Sequence, residues 1–153
     1  MSKQKLTVRA AEYADIILNL RQLFNNEEVR FLQKTQCLSV VQLKVLLIIT
    51  SQQPCTMGQV AKNVPSLSLS SVTVIVDKLV KADLVARIRC EDDRRVVRVQ
   101  LTKEGEELYE AYRESMQLMS MRLMTQLSEE EQDFLIAVYR KVIAGFAKEQ
   151  DEN

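Results

Sequence analysis

Residues 70–105 read SSVTVIVDKLVKADLVARIRCEDDRRVVRVQLTKEG, and the repeat of the apolar positions changes partway through. Val72, Ile75, Val76, Leu79 and Val80 fall on one face of an α-helix. Beyond KADLV the apolar residues come at every second position. Residues 84–90 and 96–101 therefore predict two strands of a hairpin whose tip is Glu91 to Arg95. Between helix and strand stands Asp83, a candidate for the left-handed conformation usually given to glycine. Aspartate tolerates that conformation better than most side chains. Helix first, charged hairpin second: this order sets the fold.

Outward from that stretch the sequence is punctuated by helix starts. TMGQ at 56–59 is a capping box, with Thr56 accepting from the third helical amide and Gln59 reaching back. The short helix it opens carries Val60, Ala61 and Val64, and Pro65 halts it. SLSLSS at 66–71 then supplies several candidate N-caps for the helix described above. Two short helices joined by a tight turn make a helix-turn-helix pattern. SVVQ at 39–42 is another capping box and starts a helix through Leu43, Leu46, Leu47 and Ile49 that ends between Ser51 and Pro54. Before it, Leu6, Ala10, Tyr13, Ile17, Leu20 and Phe24 recur at spacings of three and four, predicting one helix from about Lys3 to Lys34. After the hairpin, Thr102 caps a helix bearing Leu108, Tyr112, Met116, Met119, Leu123 and Leu127. SEEE at 128–131 caps a last helix with Phe134, Leu135, Val138, Val142, Ile143 and Phe146.

Composition narrows the function classes. A chain of 153 residues with 46% hydrophobic and 27% charged residues has the size and balance of one globular domain. Two prolines and three glycines leave few helix breakers, so the fold class is mostly α with a small β-hairpin. The longest apolar run, Val45 to Ile49, is far too short to cross a membrane. Three cysteines, odd in number and far apart, favour a reducing, cytoplasmic setting over a disulfide framework. Histidine is absent, which removes histidine metal sites, Ser-His and Cys-His nucleophile pairs and imidazole acid-base work. No Gly-rich phosphate loop is present either. The reading is therefore not an enzyme, with no cofactor and no metal. Net charge is zero, yet residues 56–102 hold eight basic against five acidic side chains, and residues 103–153 six against twelve. A basic middle is a reason to expect an anionic partner there.

A helix-turn-helix followed directly by a charged hairpin is a winged helix, and residues 39–105 resemble the MarR family of bacterial transcription regulators. The resemblance rests on Asp77-Lys78-Leu79 in the second helix and on Leu84-Val85 with Arg87 entering the hairpin. Asp93-Arg94-Arg95 at the tip and Leu101-Thr102 with Gly105 complete it. It implies a single domain over 1–153, with a DNA-binding lobe at 35–102 and helical dimerisation regions at 1–34 and 103–150. It further implies a homodimer on a pseudo-palindromic double-stranded DNA operator, each recognition helix in a major groove and each wing at a minor groove. The expected DNA-binding residues are Ser68, Ser70, Ser71 and Thr73, short hydroxyls at the helix N-terminus able to bond phosphates or base edges, with Lys78 and the wing's Arg94 and Arg95. Asp93 orients the Arg95 guanidinium by paired hydrogen bonds, and arginine suits a narrow, negative minor groove. Leu6, Tyr13, Phe134, Val138, Val142 and Phe146 are the dimerisation residues. Departures from the family pattern are Val74 where many relatives carry a basic residue, Asp83 where glycine is usual, and a longer turn from Val64 to Ser68.

The resemblance also implies a repressor relieved by a small aromatic ligand in a crevice that Tyr13, Phe24, Tyr109 and Tyr112 are candidates to line. Cys90, close to Arg87 and Arg89, is a candidate redox residue, beside the plainer reading of a small strand residue. Cys55 precedes the Thr56 cap, where the helix dipole favours a thiolate. A second reading of the fold is an interaction module, a winged-helix dimer that sequesters a protein partner without binding DNA. Val74, the acids Glu91 and Asp92 and the modest charge excess motivate it.

Overall fold

The computed structural model describes residues 3–36, 38–89 and 96–151, with side chains described to residue 148. Its elements run α1 (Lys3–Thr35), α2 (Val40–Gln52), β1 (Cys55–Thr56), α3 (Met57–Lys62), α4 (Leu69–Lys81), β2 (Val85–Arg89), β3 (Val97–Leu101), α5 (Lys103–Met124) and α6 (Glu129–Asp151). The chain forms two compact units, residues 1–116 and 117–153. Among the described residues no single helix is long and apolar enough to cross a membrane.

The expected caps start the helices. Ser39 accepts from the Gln42 amide while Gln42 Oε1 takes the Ser39 amide at 2.8 Å, and Thr56 and Gln59 repeat the exchange with the same 2.8 Å return bond. Ser128 and Glu131 do the same for α6, and these bonds hold the Glu131 carboxyl below its usual pKa. Of the serines before α4, Ser68 is the one that caps. The α4 C-terminus closes in the way Asp83 suggested. Its φ is 58°, its amide bonds the Val80 carbonyl, and the next amide, of Leu84, bonds that of Leu79. Those are the two crossed bonds of a Schellman motif.

The sheet has three antiparallel strands in the order β1-β3-β2, one more than the two-strand hairpin expected from the sequence. β1 is only two residues, Cys55 opposite Val99 and Thr56 opposite Arg98, too short to show a period. It ties the start of the helix-turn-helix to the wing. Gln53 reinforces that tie by accepting the Leu101 amide on its side-chain oxygen at 2.7 Å.

Val45, Leu46 and Ile49 of α2, Val60 of α3, Val72, Val76 and Leu79 of α4, and Val85, Val99 and Leu101 of the sheet enclose the main core around Cys55. A second cluster joins Phe31 and Leu32 of α1 to Leu43 of α2, with Tyr112 edge-on to Phe31 at 5.4 Å between ring centres. The α1 stripe read from the sequence stops at Phe24, so the anchoring residues lie beyond it. Leu6, Ala10 and Tyr13 of that stripe are exposed.

One junction sets where the wing stands. Thr102 Oγ1 donates to the Asp83 carbonyl and accepts the Gly105 amide at 3.1 Å, while the Thr102 amide bonds the Leu84 carbonyl at 3.2 Å. A Cβ on Gly105 would lie 2.0 Å from that Leu84 oxygen, so only glycine lets the first turn of α5 come this close. The Leu-Thr-x-x-Gly motif thus clamps the end of α4, the base of the hairpin and the start of α5 together.

Candidate nucleic-acid interface

α4 is held by its inner face. Val72, Val76 and Leu79 are fully buried, whereas Ser70, Val74, Lys78 and Lys81 are exposed. At about 100° per residue, Val74 points roughly opposite the mean direction of the buried three. Its neighbours on that outer face are Ser70 and Lys78, one turn either side, and Lys81.

The hydroxyls at the head of α4 are not equivalent. Ser68 Oγ accepts the Ser71 amide at 3.1 Å and shares a hydrogen bond with Ser71 Oγ at 2.9 Å. One proton of that pair stays available to an outside acceptor such as a phosphate oxygen. Thr73 donates to the Leu69 carbonyl at 2.9 Å, so its hydroxyl proton is engaged and it offers an outside group acceptor capacity only. Ser70 is exposed on the first turn. The unpaired amides of that turn and the positive end of the helix dipole add attraction for an anion.

The wing strands pair Val85 with Leu101, Arg87 with Val99 and Arg89 with Val97. Alternation puts these six side chains on one face, apolar and buried at the base, with Arg87, Arg89 and the exposed Val97 toward the tip. Arg87 uses that placement to form an ion pair with Asp77 of α4, both side chains being about two-fifths exposed. Arg89 lies two residues nearer the tip on the same face and is exposed. The pair links the helix to the wing. Asp77 and Arg87 are both motif residues, but nothing in the sequence joins them, because their pairing is tertiary. Asp93, Arg94, Arg95 and Cys90 lie outside the described residues.

Cys55 does not have the thiolate character expected of it. Its side chain is fully buried, and desolvation raises its pKa despite opposition from a backbone hydrogen bond and the Arg98 guanidinium. Leu6 and Tyr13 of α1, and Phe134, Val138, Val142 and Phe146 of α6, are all exposed, Phe134 by 73%. Among the crevice candidates, Tyr112 is partly buried and has a raised pKa, first through desolvation and then through Glu28 and Tyr109. An open depression of about 420 Å³ along α5 is lined by Lys103, Glu106, Glu107, Glu110, Ala111 and Glu114, none of them aromatic. No cluster of metal-ligating side chains occurs among the described residues.

A three-stranded sheet packed on a helix-turn-helix, with a hydroxyl-headed helix tied to a basic strand, defines a winged-helix DNA-binding protein. The MarR family model matches residues 38–97. The uncharacterized HTH-type transcriptional regulator YpoP of Bacillus subtilis (strain 168) is 30% identical over 112 residues, covering 71% of this chain and 77% of its own. The HTH-type transcriptional repressor MdtR of the same organism is 29% identical over 120 residues, 77% of each chain. Streptococcus pneumoniae FabT, solved in complex with DNA, superposes with a TM-score of 0.67 at 26% identity, covering 92% of this chain and 98% of its own. The chain belongs to the MarR family and is a transcriptional regulator that binds DNA.

Proposed function

We propose that this regulator works in the cytoplasm as a homodimeric, sequence-specific repressor on a pseudo-palindromic operator. Each α4 enters a major groove, where Ser68, Ser70, Ser71, Thr73 and Lys78 meet phosphates and base edges. Each wing reaches the adjacent minor groove with Arg94 and Arg95, and Asp93 orients the latter. Residues 35–102 serve as the DNA-binding lobe. Residues 1–34 and 103–150 form the dimerisation region. The observation that carries this reading is the outer face of α4, where Ser70, Lys78 and Lys81 surround Val74, standing beside a wing strand that an Asp77–Arg87 ion pair ties to it. Repression is supported by the likeness to MdtR, and relief by a small aromatic ligand by the family resemblance. No catalytic step, cofactor or metal enters this reading.

The test is a gel shift on genomic fragments flanking the protein's own gene. Wild type should retard a fragment with affinity that falls steeply with salt, because each neutralised phosphate releases condensed counterions. Arg95→Ala should bind more weakly and with a shallower salt slope. Equal binding by the two proteins would remove the role assigned to Arg95.

A further inference from the structure

The outer face of α4 is unusual for a helix that reads bases. Its sequence, LSSVTVIVDKLVK, contains no arginine, asparagine or glutamine, and of the side chains that make paired hydrogen bonds to guanine or adenine edges it offers only Lys78 and Lys81. Of its charged groups, Asp77 is engaged with Arg87, and Lys78 and Lys81 lie in the last turn. At the centre of the outer face stands Val74, an isopropyl group 54% exposed and turned directly away from the core. Helix packing gives no reason for an apolar side chain there. Ser70 one turn before it and Lys78 one turn after it are both exposed, so the valine sits in the middle of the surface a duplex would meet.

One feature of the major groove matches such a group. Thymine alone among the four bases presents a methyl there, and small apolar side chains recognise it by excluding water from the contact. We infer that Val74 is a specificity-determining residue that reads a thymine 5-methyl group in each half-site. Base recognition at the centre of α4 then rests on apolar contact, flanked by hydroxyls on one side and Lys78 on the other. The inference depends on the regulator reading above and deepens it, naming the kind of operator step that α4 selects. Such readout is shallow: losing one methyl contact should weaken binding about fourfold, the order expected for one buried carbon.

The experiment starts from duplexes that the full-length protein selects from a random library. Thymidines in the selected half-sites are replaced one at a time by deoxyuridine, which removes only the 5-methyl group. Wild type should lose about fourfold in affinity at one thymidine of each half-site. Val74→Ser, an exposed change that leaves the α4 core face intact and removes the apolar tip, should bind the thymidine and deoxyuridine duplexes alike. Wild type indifferent to every replacement would overturn the inference and leave the regulator reading standing. Sensitivity of the same size in wild type and Val74→Ser would show that some other side chain reads the methyl, and would overturn it too. Selection of no duplex at all would sink the regulator reading, and this inference with it.

Discussion

At the scale of single residues, Asp83 and Gly105 show two ways in which a backbone requirement is met. Asp83 holds φ at 58° so that the amides of residues 83 and 84 can turn back onto the carbonyls of Val80 and Leu79. A side chain with a Cβ is strained there by about 1–2 kcal/mol, somewhat less for aspartate. Glycine removes the strain but enlarges the conformational freedom of the unfolded chain, at a cost of about 0.4–1 kcal/mol. Relief wins by a small margin. Asp83→Gly should therefore raise stability by about 0.5 kcal/mol, read as a higher urea midpoint at unchanged slope. Asp83→Val should lower it by about 1 kcal/mol or more, since a branched side chain fits that region worst. A glycine variant less stable than wild type would mean that the Asp83 carboxylate makes a compensating contact. Gly105 is the stricter case, because its constraint is a carbonyl oxygen and not a torsion. The motif spacing displayed that glycine from the start, whereas its reason, the Leu84 oxygen, lies 21 residues away in the chain.

Between elements, the wing is positioned from three sides. The Thr102 junction holds its base, β1 and Gln53 hold β3, and the Asp77–Arg87 pair holds β2 against α4. Both partners of that pair are too exposed for it to add much stability; pairs of this kind contribute about 0–1 kcal/mol. Its value is geometric. Asp77→Ala should leave the melting temperature within about 2–4 °C of wild type yet weaken operator binding severalfold, because the wing loses its restraint toward the helix. Arg87→Ala should do the same, and the double variant should be no worse than either single, the coupling expected of two groups in one contact. Additive losses would mean instead that each residue touches DNA by itself. Much at this scale was legible in advance: the four helix caps at Ser39, Thr56, Thr102 and Ser128, the alternating strands and the left-handed Asp83 all follow from local chemistry. What escaped was tertiary. β1 is two residues long and has no period, Phe31 and Leu32 lie past the end of the α1 stripe at Phe24, and Cys55 precedes a cap but is shielded by the core around it.

For the whole molecule, the governing quantity is apolar surface left in water. On α6, Phe134, Val138, Val142 and Phe146 recur every four residues along one stripe and all are exposed, with Ile143 beside them at 66%. On α1, Leu6, Val8, Tyr13, Ile16 and Leu18 are exposed as well. Covering a phenylalanine fully is worth about 1.5–3 kcal/mol, so even a part of this surface, doubled by a twofold axis, far outweighs any single contact at the DNA. The proposed dimer supplies the cover, and it also sets the operator. Two recognition helices on a twofold axis address half-sites about 34–36 Å apart, and linking them turns the second contact into an intramolecular event. Phe134→Asp combined with Phe146→Asp places a charge at both ends of the α6 stripe, at side chains that are 73% and 63% exposed. Wild type should sediment as a dimer at micromolar concentration and the double variant as a folded monomer. On a two-half-site duplex the variant should lose at least a hundredfold in affinity, about the scale of the lost avidity. On a single half-site the two proteins should bind nearly alike. A wild type that sediments as a monomer at tens of micromolar, or a variant that keeps full affinity for the paired site, would detach DNA recognition from self-association and remove the dimer from the proposal.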